Sequence, residues 1–110
     1  MRNVMEIIGE KAVITFDPDI EMFRGEFIGM IGGADFYANN VQDLVEEGRK
    51  SLEVFFELCK EKGIEPHRQF SGRFNVRIDP TDHAAAVAAA AAAGKSLNEW
   101  VAGAIKLAAA

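Results

Sequence analysis

The chain has 110 residues, of which 49% are hydrophobic and 26% charged, and its net charge is −5. That length allows one modest core, or two small ones if one unit borrows core from a partner subunit, and the composition excludes a disordered tail. No segment has the length of a bilayer span or the apolar run of a signal peptide, and a single cysteine, Cys59, excludes an internal disulfide or a cysteine-based metal cluster; the expected location is the cytoplasm.

Ala12 to Phe16 and Phe23 to Ile31 are rich in Val, Ile and Phe and flank an Asp17-Pro18-Asp19 turn signal, which predicts two adjacent antiparallel strands. A short third strand, Asp35 to Ala38, is expected after the Gly32-Gly33 break. Asn40 suits a helix N-cap, with Asp43 approximating a capping box, and Gly63 suits the helix stop. Between them Val41, Leu44, Val45, Gly48, Leu52, Phe55, Phe56 and Cys59 recur at three- and four-residue steps, a stripe fit to cover a sheet. Residues 1–63 are therefore expected to form a β-β-β-α domain. Residues 64–72, with Pro66, Ser71 and Gly72, read as a linker without hydrophobic period.

Residues 73–110 read as a second domain. Arg73 to Ile78 alternates strictly, with Phe74, Val76 and Ile78 on one face and Arg73, Asn75 and Arg77 on the other. Asp79 is placed to cap a helix whose first position is Pro80, and the alanine-rich run Thr81 to Ala93 is expected to be helical up to Gly94. Ser96-Leu97-Asn98-Glu99 is a capping box for a further helix with an apolar stripe of Leu97, Trp100, Val101, Ala104, Ile105 and Ala108. The overall class is α+β.

The charge is unevenly divided. Residues 1–71 hold eight Lys/Arg against fourteen Asp/Glu, a net −6, while residues 72–110 hold four against three, a net +1. The strand of the second domain has no local partner, and two helices so poor in bulky side chains make too small a core alone. Antiparallel pairing with the same strand of a second chain would close a two-stranded ribbon over a dimer core of Phe74, Val76, Ile78, Leu97, Trp100 and Val101. The outer face would then present Arg73, Asn75 and Arg77 twice. Such a ribbon fits the major groove of DNA, where arginine bridges G O6 and N7 and asparagine bridges A N6 and N7.

The run Arg73-Phe74-Asn75-Val76-Arg77-Ile78-Asp79-Pro80, followed by a helix and by Gly94-Lys95-Ser96-Leu97-Asn98, resembles the ribbon-helix-helix repressors of the Arc and MetJ type. By that resemblance Arg73, Asn75 and Arg77 are the base-reading residues. Lys95, Ser96 and Asn98 fall where that family clamps a DNA phosphate at a helix N-terminus, a site that favours anions.

The chain as a whole resembles HicB-type antitoxins, in Leu58-Cys59-Lys60-Glu61-Lys62-Gly63, in Phe70-Ser71-Gly72-Arg73-Phe74-Asn75-Val76-Arg77 and in Gly94-Lys95-Ser96-Leu97-Asn98-Glu99-Trp100-Val101. The resemblance implies a degenerate ribonuclease-H-like N-terminal domain that neutralises a small, basic, RNA-cleaving toxin (HicA-like), and a C-terminal domain that represses the shared operon by binding operator DNA as a homodimer or higher oligomer. The sequence departs from the family at Ile20-Glu21-Met22, where a glycine-containing acidic turn is usual, and at Gly32-Gly33-Ala34-Asp35.

Catalysis is not expected. Asp17, Asp19, Glu21, Glu26 and Asp35 fall mostly in turns or on exposed strand faces rather than in the converging cluster that two cations need. His67 and His83 lack metal-ligand spacing and read as surface residues, and Gly29, Gly32 and Gly33 do not form a nucleotide loop before a helix. No cofactor and no membrane partner are expected. A second reading of residues 1–63, as an oligomerising or ligand-sensing domain of a stand-alone regulator, stays open beside the toxin-binding one.

Overall fold

The computed structural model describes residues 3–33 and 35–110. Its elements in chain order are β1 (Val4–Ile7), β2 (Glu10–Asp17), β3 (Met22–Phe27), β4 (Phe36–Ala38), α1 (Val41–Lys62), α2 (Pro80–Ala92) and α3 (Leu97–Ala109). The chain divides into two compact units, one ending at Phe70 and the other running from Ser71 to Ala110.

The N-terminal unit is a four-stranded antiparallel sheet in the order β1-β2-β3-β4, covered by α1. The expected β-β-β-α order thus needs correcting to β-β-β-β-α. Strand β1 is only four residues long and contributes a single fully buried side chain, Ile7, so it carries too little alternation to stand out in a sequence. It is held by pairing with β2 through a two-residue turn, Ile8 and Gly9, both in the left-handed region (φ 51 and 77). The strand expected over Phe23 to Ile31 leaves the ladder after Phe27.

Alternation sends Ile7, Ala12, Phe36 and Ala38 into a core with Leu44 and Leu52 of α1 and with Met30. Phe36 sets the spacing of the layers. A Cβ on Gly25 would lie 2.1 Å from Phe36 Cζ, and one on Gly48 would lie 2.6 Å from Ile7 Cδ1 and 2.9 Å from Phe36 Cε2. The ring therefore occupies the space that two missing side chains leave, one on the sheet and one on the helix.

Helix α1 begins where the sequence indicates. Asn40 Oδ1 accepts the Asp43 N–H (2.8 Å), and Asn40 Nδ2 donates to the Asp43 carboxylate (2.8 Å). It ends at Gly63 (φ 66), with the Ile64 N–H donating to Cys59 O. The segment beyond is not bare of structure: the Ile31 N–H donates to Pro66 O and the Arg68 N–H to Gly29 O (both 2.9 Å), and Met30 and His67 form an antiparallel bridge.

In the C-terminal unit, the Asp79 carboxylate accepts the Thr81 N–H (3.0 Å) and starts α2 at Pro80. Gly94 (φ 68) closes it, its N–H donating to Ala91 O while that of Lys95 donates to Ala90 O, which fixes the turn into α3. The capping box at Ser96 is complete in both directions. Arg73 to Ile78 pairs with no strand among the described residues.

Candidate nucleic-acid interface

Every residue from Arg73 to Ile78 is exposed. Phe74, Val76 and Ile78 are 68%, 62% and 50% accessible, far outside the range in which such side chains stabilise a fold. Together with Leu97, Val101 and Ile105 they line a concavity of about 850 Å³. Arg73, Asn75 and His83 border the same hollow and Arg77 does not. Trp100 is half-buried and does not line it. In α2 only Ala90 is buried, and α3 has no buried residue at all.

At the start of α3 the capping box already uses two of the free amides. Ser96 Oγ accepts the Glu99 N–H (3.1 Å) and Glu99 Oε1 accepts the Ser96 N–H (3.2 Å). Helix geometry leaves the N–H groups of Leu97 and Asn98 pointing outward without an intrahelical partner. The Ser96 hydroxyl keeps its own proton to donate. Lys95 and Asn98 are both exposed beside these groups. An anion at this helix start would meet two or three N–H or O–H donors and one ammonium group.

The N-terminal unit contains a residue whose role sequence reasoning missed. His67 Nε2 lies 2.6 Å from Glu10 Oε1 and Nδ1 lies 2.9 Å from Glu65 Oε1, with the Phe56 ring centroid 6.0 Å away. The hydrogen bond to Glu10, then that to Glu65, pushes the imidazole pKa up, while the same contact pulls the Glu65 carboxyl down. No spacing rule links residues 10 and 67, so no sequence signal could have found the contact. Three of the five carboxylates named above are engaged locally: Asp17 accepts the Asp19 N–H (3.0 Å), and Asp35 and Glu26 flank the Arg24 guanidinium, Asp35 taking its Nε–H at 2.8 Å. Ala34, part of the Gly32-Gly33-Ala34-Asp35 departure, lies outside the described residues.

Among the described residues no helix is long and apolar enough to cross a membrane. Residues 55–105 match the model of the HicB family, a stretch that takes in the end of α1, all of α2 and most of α3. The sheet and the first half of α1 lie outside it. No curated protein and no solved structure matches the chain.

Proposed function

We propose that the protein is an antitoxin and autorepressor: two copies pair the Arg73–Ile78 strands into a ribbon that reads operator DNA, and the N-terminal unit binds and neutralises a small basic RNA-cleaving protein. The observation that carries the DNA-binding half is the exposed, unpaired segment Arg73–Ile78 of the C-terminal unit. Phe74, Val76 and Ile78 lie uncovered around a hollow lined by Leu97, Val101 and Ile105, in a unit whose helices bury a single alanine. Covering one such side chain fully is worth about 1.5–3 kcal/mol, and a second copy of the strand supplies the cover. The similarity of residues 55–105 to the HicB family points the same way. In the ribbon, Arg73, Asn75 and Arg77 face bases, and Lys95, Ser96 and Asn98 hold phosphate.

The toxin-binding half rests on the resemblance to HicB-type antitoxins and on charge. The net −6 of residues 1–71 complements a basic partner and speeds encounter with it.

The test is Val76→Asp. A carboxylate in the shared core should abolish dimerisation and DNA binding together, while the N-terminal unit keeps its circular dichroism. Sedimentation equilibrium should give a dimer for the parent at micromolar concentration and a monomer for the variant. A parent protein that is a stably folded monomer under those conditions contradicts the proposal.

A further inference from the structure

Among the described residues the sheet of the N-terminal unit stops at β4, whose one ladder partner is β3. The outer side of such an edge strand carries backbone N–H and C=O groups that a further strand can pair with. Alongside β4 runs a groove of about 670 Å³, lined by Phe36, Tyr37, Ser51, Val54, Phe55 and Leu58. Val54, Leu58 and Tyr37 are 70%, 43% and 40% accessible. The two aliphatic residues are an i,i+4 pair outside the stripe that covers the sheet, so the core does not explain them.

The rim of the groove is acidic. Glu57 and Glu61 follow Val54 by three and seven residues, which sets them on the same flank of α1. Neither forms an ion pair among the described residues. Lys50 lines the groove too, and its Nζ lies 3.7 Å from Glu47, which also lines it. Asp35 is held by Arg24. The uncompensated charge is therefore negative, beside an apolar floor and an open strand edge.

We infer that this edge and groove take up an extended, positively charged segment of the basic protein partner. The segment adds to β4 as a further strand, its main chain bonded to the edge and its alternate apolar side chains set between Tyr37, Val54 and Leu58, with its lysines or arginines over Glu57 and Glu61. The inference rests on the toxin-binding reading above and specifies where and how that partner docks. A second copy of this chain fits less well, because it would bring one acidic unit against another.

The experiment uses the full chain and a labelled, end-capped heptapeptide of alternating valine and lysine, with a valine–glutamate peptide as counterpart. Fluorescence anisotropy should show binding of the cationic peptide alone. Binding should weaken at least tenfold with Val54→Ser/Leu58→Ser, which removes the apolar contact without adding charge, and likewise with Glu57→Lys/Glu61→Lys. Both variants alter exposed side chains, and an unchanged circular dichroism spectrum confirms the fold. Amide exchange over Phe36–Ala38 should slow in the complex. Equal binding by parent and variants, binding of the anionic peptide, or no binding by the parent overturns the inference. The functional reading is checked separately by co-expressing the chain with any small basic protein encoded beside its gene. Neutralisation that survives Val54→Ser/Leu58→Ser overturns the groove, whereas peptide binding by the groove without any neutralisation supports the groove and overturns the toxin reading.

Discussion

Both ring nitrogens of His67 face a carboxylate, and only the imidazolium can donate from both at once. Its folded-state pKa is accordingly raised above the unfolded value of about 6.5. The contribution of this clamp to stability is fully present below about pH 6.5 and is lost as pH rises through the raised native value. Replacing His67 with Gln should cost stability at pH 6 and little or nothing at pH 9, so denaturant curves of parent and variant should converge as pH rises. Curves that run parallel would show that the clamp is not charged. His67 was legible only as a surface residue, because its partner Glu10 is 57 positions away and both lie outside any repeating pattern. Gly48 is a similar case. Its place in the apolar stripe of α1 was readable, but the reason for having no side chain there is the Phe36 ring, a contact between layers. Capping residues were legible because their partners are local: Asn40, Asp79 and Ser96 each bond a neighbour two or three residues on.

At the scale of elements, the helices were readable to within a residue or so, since Asn40 and Gly63, Asp79 and Gly94, and Ser96 mark their ends by local chemistry. Strands were harder, as their existence depends on a neighbour. Strand β1 is not legible in the sequence for that reason, and composition alone extends the strand beginning near Phe23 four residues too far, because Ile28, Met30 and Ile31 continue it after the ladder ends. The segment after Gly63 shows the same dependence. It has no hydrophobic period, yet Pro66 O and the Arg68 N–H bond the chain at Ile31 and Gly29, and His67 bonds Glu10. A fragment ending at Phe70 should therefore be more stable than one ending at Gly63. Two backbone hydrogen bonds at about 0.5–1.5 kcal/mol each, with the clamp in addition, should separate the melting temperatures by several degrees for a unit of this size. Thermal melts of the two fragments followed by circular dichroism measure this, and coincident melts would show that residues 64–70 add nothing to the N-terminal unit.

For the whole molecule, charge and exposed apolar surface are distributed unequally between the two units. The acidic unit ending at Phe70 holds the larger core, whereas Ser71–Ala110 leaves Phe74, Val76, Ile78 and Ile105 open. Units near this size usually need a second subunit, a disulfide or a metal to fold, and the single cysteine, Cys59, lies elsewhere and is buried. The alternation of Arg73–Ile78 is fully visible in the sequence; no ladder partner for it lies among the described residues of the single chain.

Reading of DNA by the proposed ribbon depends most directly on Asn75. Parent, Asn75→Ala and Lys95→Ala proteins should be titrated against a duplex from the region upstream of the protein's own gene and against a scrambled duplex, each at two salt concentrations. Asn75→Ala should lose roughly 1–3 kcal/mol for each base pair it reads on the upstream duplex and bind the scrambled one as the parent does. Lys95→Ala should weaken binding to both duplexes alike and flatten the salt dependence, since fewer counterions are released. If Asn75→Ala binds the upstream duplex as tightly as the parent, the paired strand does not read DNA and the central claim fails.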